Sequence, residues 1–151
     1  MSSAQPTKAE LGTLGEALVA AWLQSQGWQI LERQWRCRWG ELDLVALRPS
    51  AEKSPPLLAF VEVKTRSRGN WDADGLMAIN RAKQAKLWQS ARLYLAKQPQ
   101  WADASCRFDV ALVACRSGHA VIPKSVLTTR PYGSRQSLVL QDYLENAFDL
   151  S

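Results

Sequence analysis

Gly40-Glu41-Leu42-Asp43-Leu44-Val45-Ala46 and Leu58-Ala59-Phe60-Val61-Glu62-Val63-Lys64-Thr65-Arg66 read as two β-strands, each an apolar run broken by acid. Side chains alternate faces along a strand. Glu62 and Lys64 therefore share one face while Val61 and Val63 share the other. The same alternation takes Asp43 off the face expected for Leu42, Leu44 and Ala46. A buried strand tolerates charge only when the charge is paired or holds a metal. Two carboxylates and one ammonium converging on a sheet face read as a divalent-metal site suited to phosphodiester hydrolysis.

Outward from these strands, the pattern predicts an α/β architecture, a mixed central β-sheet flanked by helices in the order α-β-β-β-α-β-β. Residues 1–8 read as a flexible tail and 9–151 as a single domain. A helix over 9–26 carries Leu14, Ala17, Leu18, Ala21 and Trp22 at helical spacing, with Gly27 as its stop. Trp28 to Arg36 predicts the first strand, Glu41 to Leu47 the second and Leu57 to Thr65 the third, with the prolines of 49–56 marking a loop. Ser67 to Gly75 is polar and reads as a mobile connection. Asn80 is a candidate N-cap for a second helix from Arg81 to about Gln98, with an inner stripe of Ala85, Trp88, Ala91 and Leu95. Arg107 to Ala114 and His119 to Ile122 predict two more strands, and the apolar stretch from Leu138 to Leu150 suits a short helix or a docked segment equally.

At 151 residues with 46% apolar content, the chain is the size of one folded domain and is no disordered segment. It has no apolar run that could cross a bilayer, and the polar stretch Met1 to Glu10 lacks the apolar core of a signal peptide. Three scattered cysteines, Cys37, Cys106 and Cys115, fit reduced thiols in a cytoplasmic setting better than a disulfide framework. With His119 the single histidine and no paired cysteines, the sequence argues against zinc. The net charge is +5, from 19 Lys and Arg against 14 Asp and Glu. Gly75 to Ala102 holds no acid before Asp103 and carries Arg81, Lys83, Lys86, Arg92 and Lys97, while Arg33, Arg36 and Arg38, and Lys64, Arg66 and Arg68, form two further clusters. Clustered cations beside an acidic site suit a polyanion; the plainer reading is a solvated surface.

Phosphodiester cleavage needs an activated water, charge neutralisation on the phosphate and stabilisation of the leaving group. Mg²⁺ (or Mn²⁺) suits carboxylate oxygens, with Asp43 and Glu62 as ligands and the Val63 carbonyl as a further oxygen. Lys64 would orient or deprotonate the attacking water, or neutralise developing charge. Glu16 lies on an apolar flank of the first helix among Gly12, Val19, Ala20 and Leu23, without a lysine four residues away. It reads either as a first-turn glutamate favoured by the helix dipole or as a third carboxylate entering the site. Glu41 is read as pairing with a nearby arginine, and Asp109 as a structural acceptor. Trp39 and Trp71 flank the site, where they could stack on bases or pack on the rim.

The Asp…Glu-X-Lys pattern resembles the PD-(D/E)XK nuclease superfamily, which includes restriction enzymes and Holliday-junction resolvases. More closely, the chain resembles the YraN-like family of small bacterial proteins. That likeness runs through Leu14-Gly15-Glu16-Ala17, Arg36-Cys37-Arg38-Trp39-Gly40-Glu41-Leu42-Asp43-Leu44-Val45-Ala46, Phe60-Val61-Glu62-Val63-Lys64-Thr65-Arg66, Lys83-Gln84 and Arg107-Phe108-Asp109-Val110. Glu-X-Lys alone is weak, but the ordered set is specific. The resemblance implies a restriction-endonuclease-like core and catalytic roles for Asp43, Glu62 and Lys64. It implies a helical carboxylate, Glu16, completing a metal set of Asp43, Glu62 and Glu16. It also implies a basic motif, Lys83-Gln84, that with Arg66 and Lys86 would contact nucleic acid. Gln34 stands where the family is expected to carry asparagine, outside the metal ligands.

The sequence therefore predicts a Mg²⁺-dependent endonuclease acting on DNA, at branched, flapped or recombination intermediates, with no membrane partner and with a homodimer as one option. Its rivals are a non-catalytic nucleic-acid-binding module of nuclease-like fold and a protein-interaction domain whose basic surface meets an acidic partner.

Overall fold

The structure, a computed structural model, describes residues 6–67, 79–117, 125–133 and 135–148. Six strands form one mixed sheet: β1 (Gln29–Cys37), β2 (Gly40–Arg48), β3 (Leu57–Arg66), β4 (Ser105–Ser117), β5 (Thr128–Tyr132) and β6 (Gln136–Phe148). Their order across the sheet is β1-β2-β3-β4-β6-β5. β3 and β4 run parallel, and the remaining described pairs are antiparallel. A parallel pair needs a crossover. Helix α2 (Arg81–Lys97) and a short 3₁₀ turn at Pro99–Trp101 lie within that connection.

Each face of the sheet is covered by one helix. Helix α1 (Lys8–Ser25) brings Leu18, Val19 and Leu23 onto Leu44, Ala46, Ala59, Val61, Ala111 and Val113. Helix α2 brings Leu87, Ala91 and Tyr94 onto Val45, Leu58, Phe60, Phe108 and Val110 on the opposite face. Strand alternation divides the sheet residues between two apolar layers in this way. Both helices are capped by polar side chains. Thr7 Oγ1 accepts the Glu10 N–H at 3.1 Å and Asn80 Oδ1 accepts the Lys83 N–H at 2.9 Å. The first helix thus starts before position 9 and takes Thr7 and Lys8 from the expected tail, whose residues 1–5 lie outside the described residues.

Other expectations shift. Of the expected inner stripe of α2, Ala91 is buried and Trp88 and Leu95 pack against the same core, whereas Ala85 faces solvent; Leu87, Ser90 and Tyr94 are buried beside them. The stretch from Leu138 is strand β6, neither helix nor loosely docked, and β5 beside it was not expected. The segment His119 to Ile122 and most of the connection Ser67 to Gly75 lie outside the described residues, as do Arg68 and Trp71. Gly15 of α1 lies so near β3 that a Cβ there would run into Thr65 Oγ1.

Candidate metal-carboxylate site

The β2–β3 ladder runs from Arg48↔Leu57 to Leu44↔Val61 and pairs no residue beyond it. At the next step, the Asp43 side chain substitutes for a ladder partner. Its Oδ2 accepts the Val63 N–H at 2.9 Å. The two strands thus separate beside Asp43 and Glu62, which are 7% and 6% exposed.

Glu62 stays on the α2 face, continuing the row begun by Leu58 and Phe60. Its Oε1 lies 3.5 Å from Lys64 Nζ and 3.3 Å from Lys83 Nζ. The expected Glu62–Lys64 juxtaposition is present. Lys83, assigned to nucleic acid by resemblance, reaches the same carboxylate from the first turn of α2. These groups open onto a cleft of ≈ 300 Å³ lined by Trp39, Glu41, Asp43, Glu62, Lys83 and Lys86, among others.

Glu16 arrives from α1. The first-turn acid of that helix is Glu10, so a dipole role for Glu16 does not hold: it sits two turns further in. Its Oε2 accepts a hydrogen bond from Gln34 Nε2 at 2.9 Å. Gln34 is thus no metal ligand itself but belongs to the surroundings of the site, holding one of the candidate ligands. Its backbone has φ of 50°, a left-handed conformation uncommon for glutamine. This turns the strand over. Trp35 packs in the α2 core instead of the α1 core, and its cross-strand partner Leu42 follows it. Leu42 consequently does not share the face of Leu44 and Ala46, as strict alternation predicts. Sequence patterning does not report φ, so the role of Gln34 was not read from it; the asparagine expected at this position, a residue that accepts the left-handed region more readily, was its trace.

The acids interact strongly. Burial, then the Glu62 charge, pushes the Asp43 carboxyl up to about 8, with Glu16 and Glu41 adding to the effect and the Val63 N–H opposing it. Burial also raises Glu16, and the Glu41 and Glu62 charges add to it, while hydrogen bonding to Gln34 and Asp43 offsets part. Among the described residues, no three acids, histidines or cysteines stand close enough to enclose an ion as they are. The donor chemistry nevertheless fits a hard divalent cation: carboxylate oxygens from three elements repel one another in a partly dry site. Asp43, Glu62 and Glu16 would hold it.

The remaining candidates divide. Lys86 lines the cleft. Arg66 is exposed at the end of β3, on the Glu62 and Lys64 side by strand alternation. Gln84 Nε2 donates to the Ile79 carbonyl at 3.1 Å and so secures the chain entering α2. Glu41 pairs with Arg36 Nε at 3.2 Å, as expected. Asp109 is a structural acceptor, as expected: fully buried, it takes the Tyr143 hydroxyl at 2.6 Å, the Asn146 N–H at 2.9 Å and Arg107 Nε at 3.0 Å.

Comparison with known proteins matches residues 15–113 to the model of "Uncharacterised protein family UPF0102". A UPF0102 protein of Trichodesmium erythraeum is 60% identical over 114 residues, covering 72% of this chain and 63% of its own length. One of Acaryochloris marina is 45% identical over 166 aligned positions, covering 97% and 94%. One of Synechocystis sp. is 56% identical over 104 residues, covering 69% and 67%. No described helix is long and apolar enough to cross a membrane.

Proposed function

The chain belongs to the UPF0102 family, the YraN-like family of the sequence resemblance, and from the site it carries we propose that it is a Mg²⁺- or Mn²⁺-dependent endonuclease acting on DNA, with a restriction-endonuclease-like core. The observation that carries this reading is the parted end of β2 and β3, where Asp43 and Glu62 lie buried with Lys64 Nζ 3.5 Å from Glu62 Oε1. An ordinary sheet gains nothing from placing two acids there, since each anion is desolvated and repels the other.

A bound divalent cation would neutralise phosphate charge and make a nearby water easier to deprotonate. Asp43, Glu62 and Glu16 supply its oxygen donors. Lys64, part-buried beside Glu62, is positioned to orient the attacking water or to neutralise charge developing on the phosphorane oxygens. Lys83 and Lys86 line the approach and hold the backbone phosphate. With these cations lining the cleft, phosphate contacts dominate binding.

The test is incubation of purified protein with linear, flapped and four-way DNA under Mg²⁺ or Mn²⁺, beside Asp43→Ala. Cleavage by wild type that disappears in the variant supports the reading. One observation favours a second reading: Lys64 and Lys83 both contact Glu62 Oε1, as they would in a nuclease-like module that binds DNA without cutting it. Salt-sensitive DNA binding without cleavage under either metal would select that module.

A further inference from the structure

Among the described residues the exposed large apolar side chains are Trp39 and Leu127. Trp39 is 39% exposed and belongs to neither core layer. It occupies the two-residue connection between β1 and β2, where Cys37 pairs with Gly40. Such turns favour small polar residues, which satisfy the backbone locally. The Trp39 ring instead lines the cleft that holds Asp43, Glu62, Lys83 and Lys86. The Arg38 guanidinium lies over the ring, 5.2 Å from its centroid, and so backs one face of the indole and leaves the other for a ligand.

We infer that Trp39, with Arg38, forms a stacking platform for an unpaired nucleobase next to the phosphate held in the cleft. This rests on the nuclease reading above and narrows its substrate to DNA with single-stranded nucleotides beside the scissile bond. The chemistry of the lining matches one nucleotide unit. The indole offers an apolar plane for a base, Lys83 and Lys86 offer cations for phosphate, and the carboxylates lie among them. A base inside a duplex is stacked on both faces by its neighbours. Away from the duplex ends, only an unpaired or splayed base can turn a face to the indole.

The experiment measures binding of labelled single-stranded, blunt duplex and 5′-flapped DNA by fluorescence anisotropy in Ca²⁺ at low salt, for wild type, Trp39→Ala and Trp39→Phe. Loss of one stacked base weakens binding by about tenfold. Trp39→Ala should therefore lose about tenfold on single-stranded and flapped DNA and leave blunt duplex unchanged, while Trp39→Phe retains most of the affinity. Thermal unfolding of each variant, measured alongside, confirms that the compared proteins are folded under the binding conditions. A Trp39→Ala protein that weakens on all three forms alike, or on none, overturns the platform while leaving the nuclease reading standing. Wild type that binds none of the three overturns the nucleic-acid reading itself.

Discussion

Asp43 and Asp109 are both aspartates buried in central strands, and their surroundings are opposite. Asp109 is met by donors alone: a guanidinium, a phenol and a backbone N–H from two strands. Asp43 is met by one backbone N–H and by the charges of Glu62, Glu16 and Glu41. A donor-filled cage turns a buried acid into a tie between strands. A cage of other acids leaves it short of positive charge, which a cation could supply. Burial alone therefore says little about role; the sign of the neighbours decides.

The largest effect expected from breaking this contrast is at Asp109. Asp109→Ala leaves the Tyr143 hydroxyl and the Asn146 N–H without their acceptor and leaves Arg107 with Glu145 alone, and should cost about 3–5 kcal/mol in urea unfolding. Stability unchanged within error would show that the cage is dispensable.

Asp43 should behave in the reverse sense. Its folded carboxyl holds its proton up to about 8, above the 3.8 of the unfolded chain. Between those values the folded state binds more protons than the unfolded one. In metal-free buffer, stability should accordingly fall as pH rises from about 4 through about 8. Asp43→Asn should flatten that slope and exceed wild type by a few kcal/mol at most at pH 8, on the order set by one pKa unit per 1.4 kcal/mol. Mn²⁺ affinity measured by calorimetry should rise over the same interval in wild type, because the ion competes with the proton. Asp43→Asn should bind Mn²⁺ weakly at every pH. A wild-type affinity independent of pH would contradict the assignment.

A smaller effect concerns the cations facing the acids. Replacing Lys83 and Lys86 with alanine should weaken DNA binding about equally across sequences. It should also flatten the dependence of log K on log salt by roughly 0.9 for each lost phosphate contact on duplex DNA. An unchanged salt slope would reduce Lys83 to a partner of Glu62 and Lys86 to a solvated cation. The smallest effect is at Gln34: asparagine accepts the left-handed backbone more readily, so Gln34→Asn should gain up to about 1 kcal/mol by thermal unfolding. The shorter amide should no longer hold Glu16.

Strand alternation made the Glu62 and Lys64 pair legible before any coordinates, because the period of two is local and charge in an apolar run stands out. The Asn80 cap was legible for the same reason, since its partner lies three residues away. The Gln34 reversal was not, because it depends on one backbone angle that composition does not encode. Nor was the β5–β6 pair. Irregular pairing with β4 near Asp109 and again near Val113 breaks the alternation of β6, and Pro131 weakens the strand signal of β5, which stands at the sheet edge where proline is tolerated. The inner face of α2 was legible only in part, through Trp88, Ala91 and Leu95, because the apolar residues of this helix are spread around its circumference. Packing against Phe60 and Trp35 selected Tyr94, which sequence patterning did not single out.

Gly15 acts as a spacer gauge. It adjoins Glu16 on the helix, and Thr65, which it nearly touches, adjoins Lys64 on the strand. The missing side chain thus sets how far a carboxylate on one element stands from an ammonium on another. Even one methyl group there would meet the Thr65 hydroxyl, so that either this side chain turns away or the helix backs off and draws Glu16 with it.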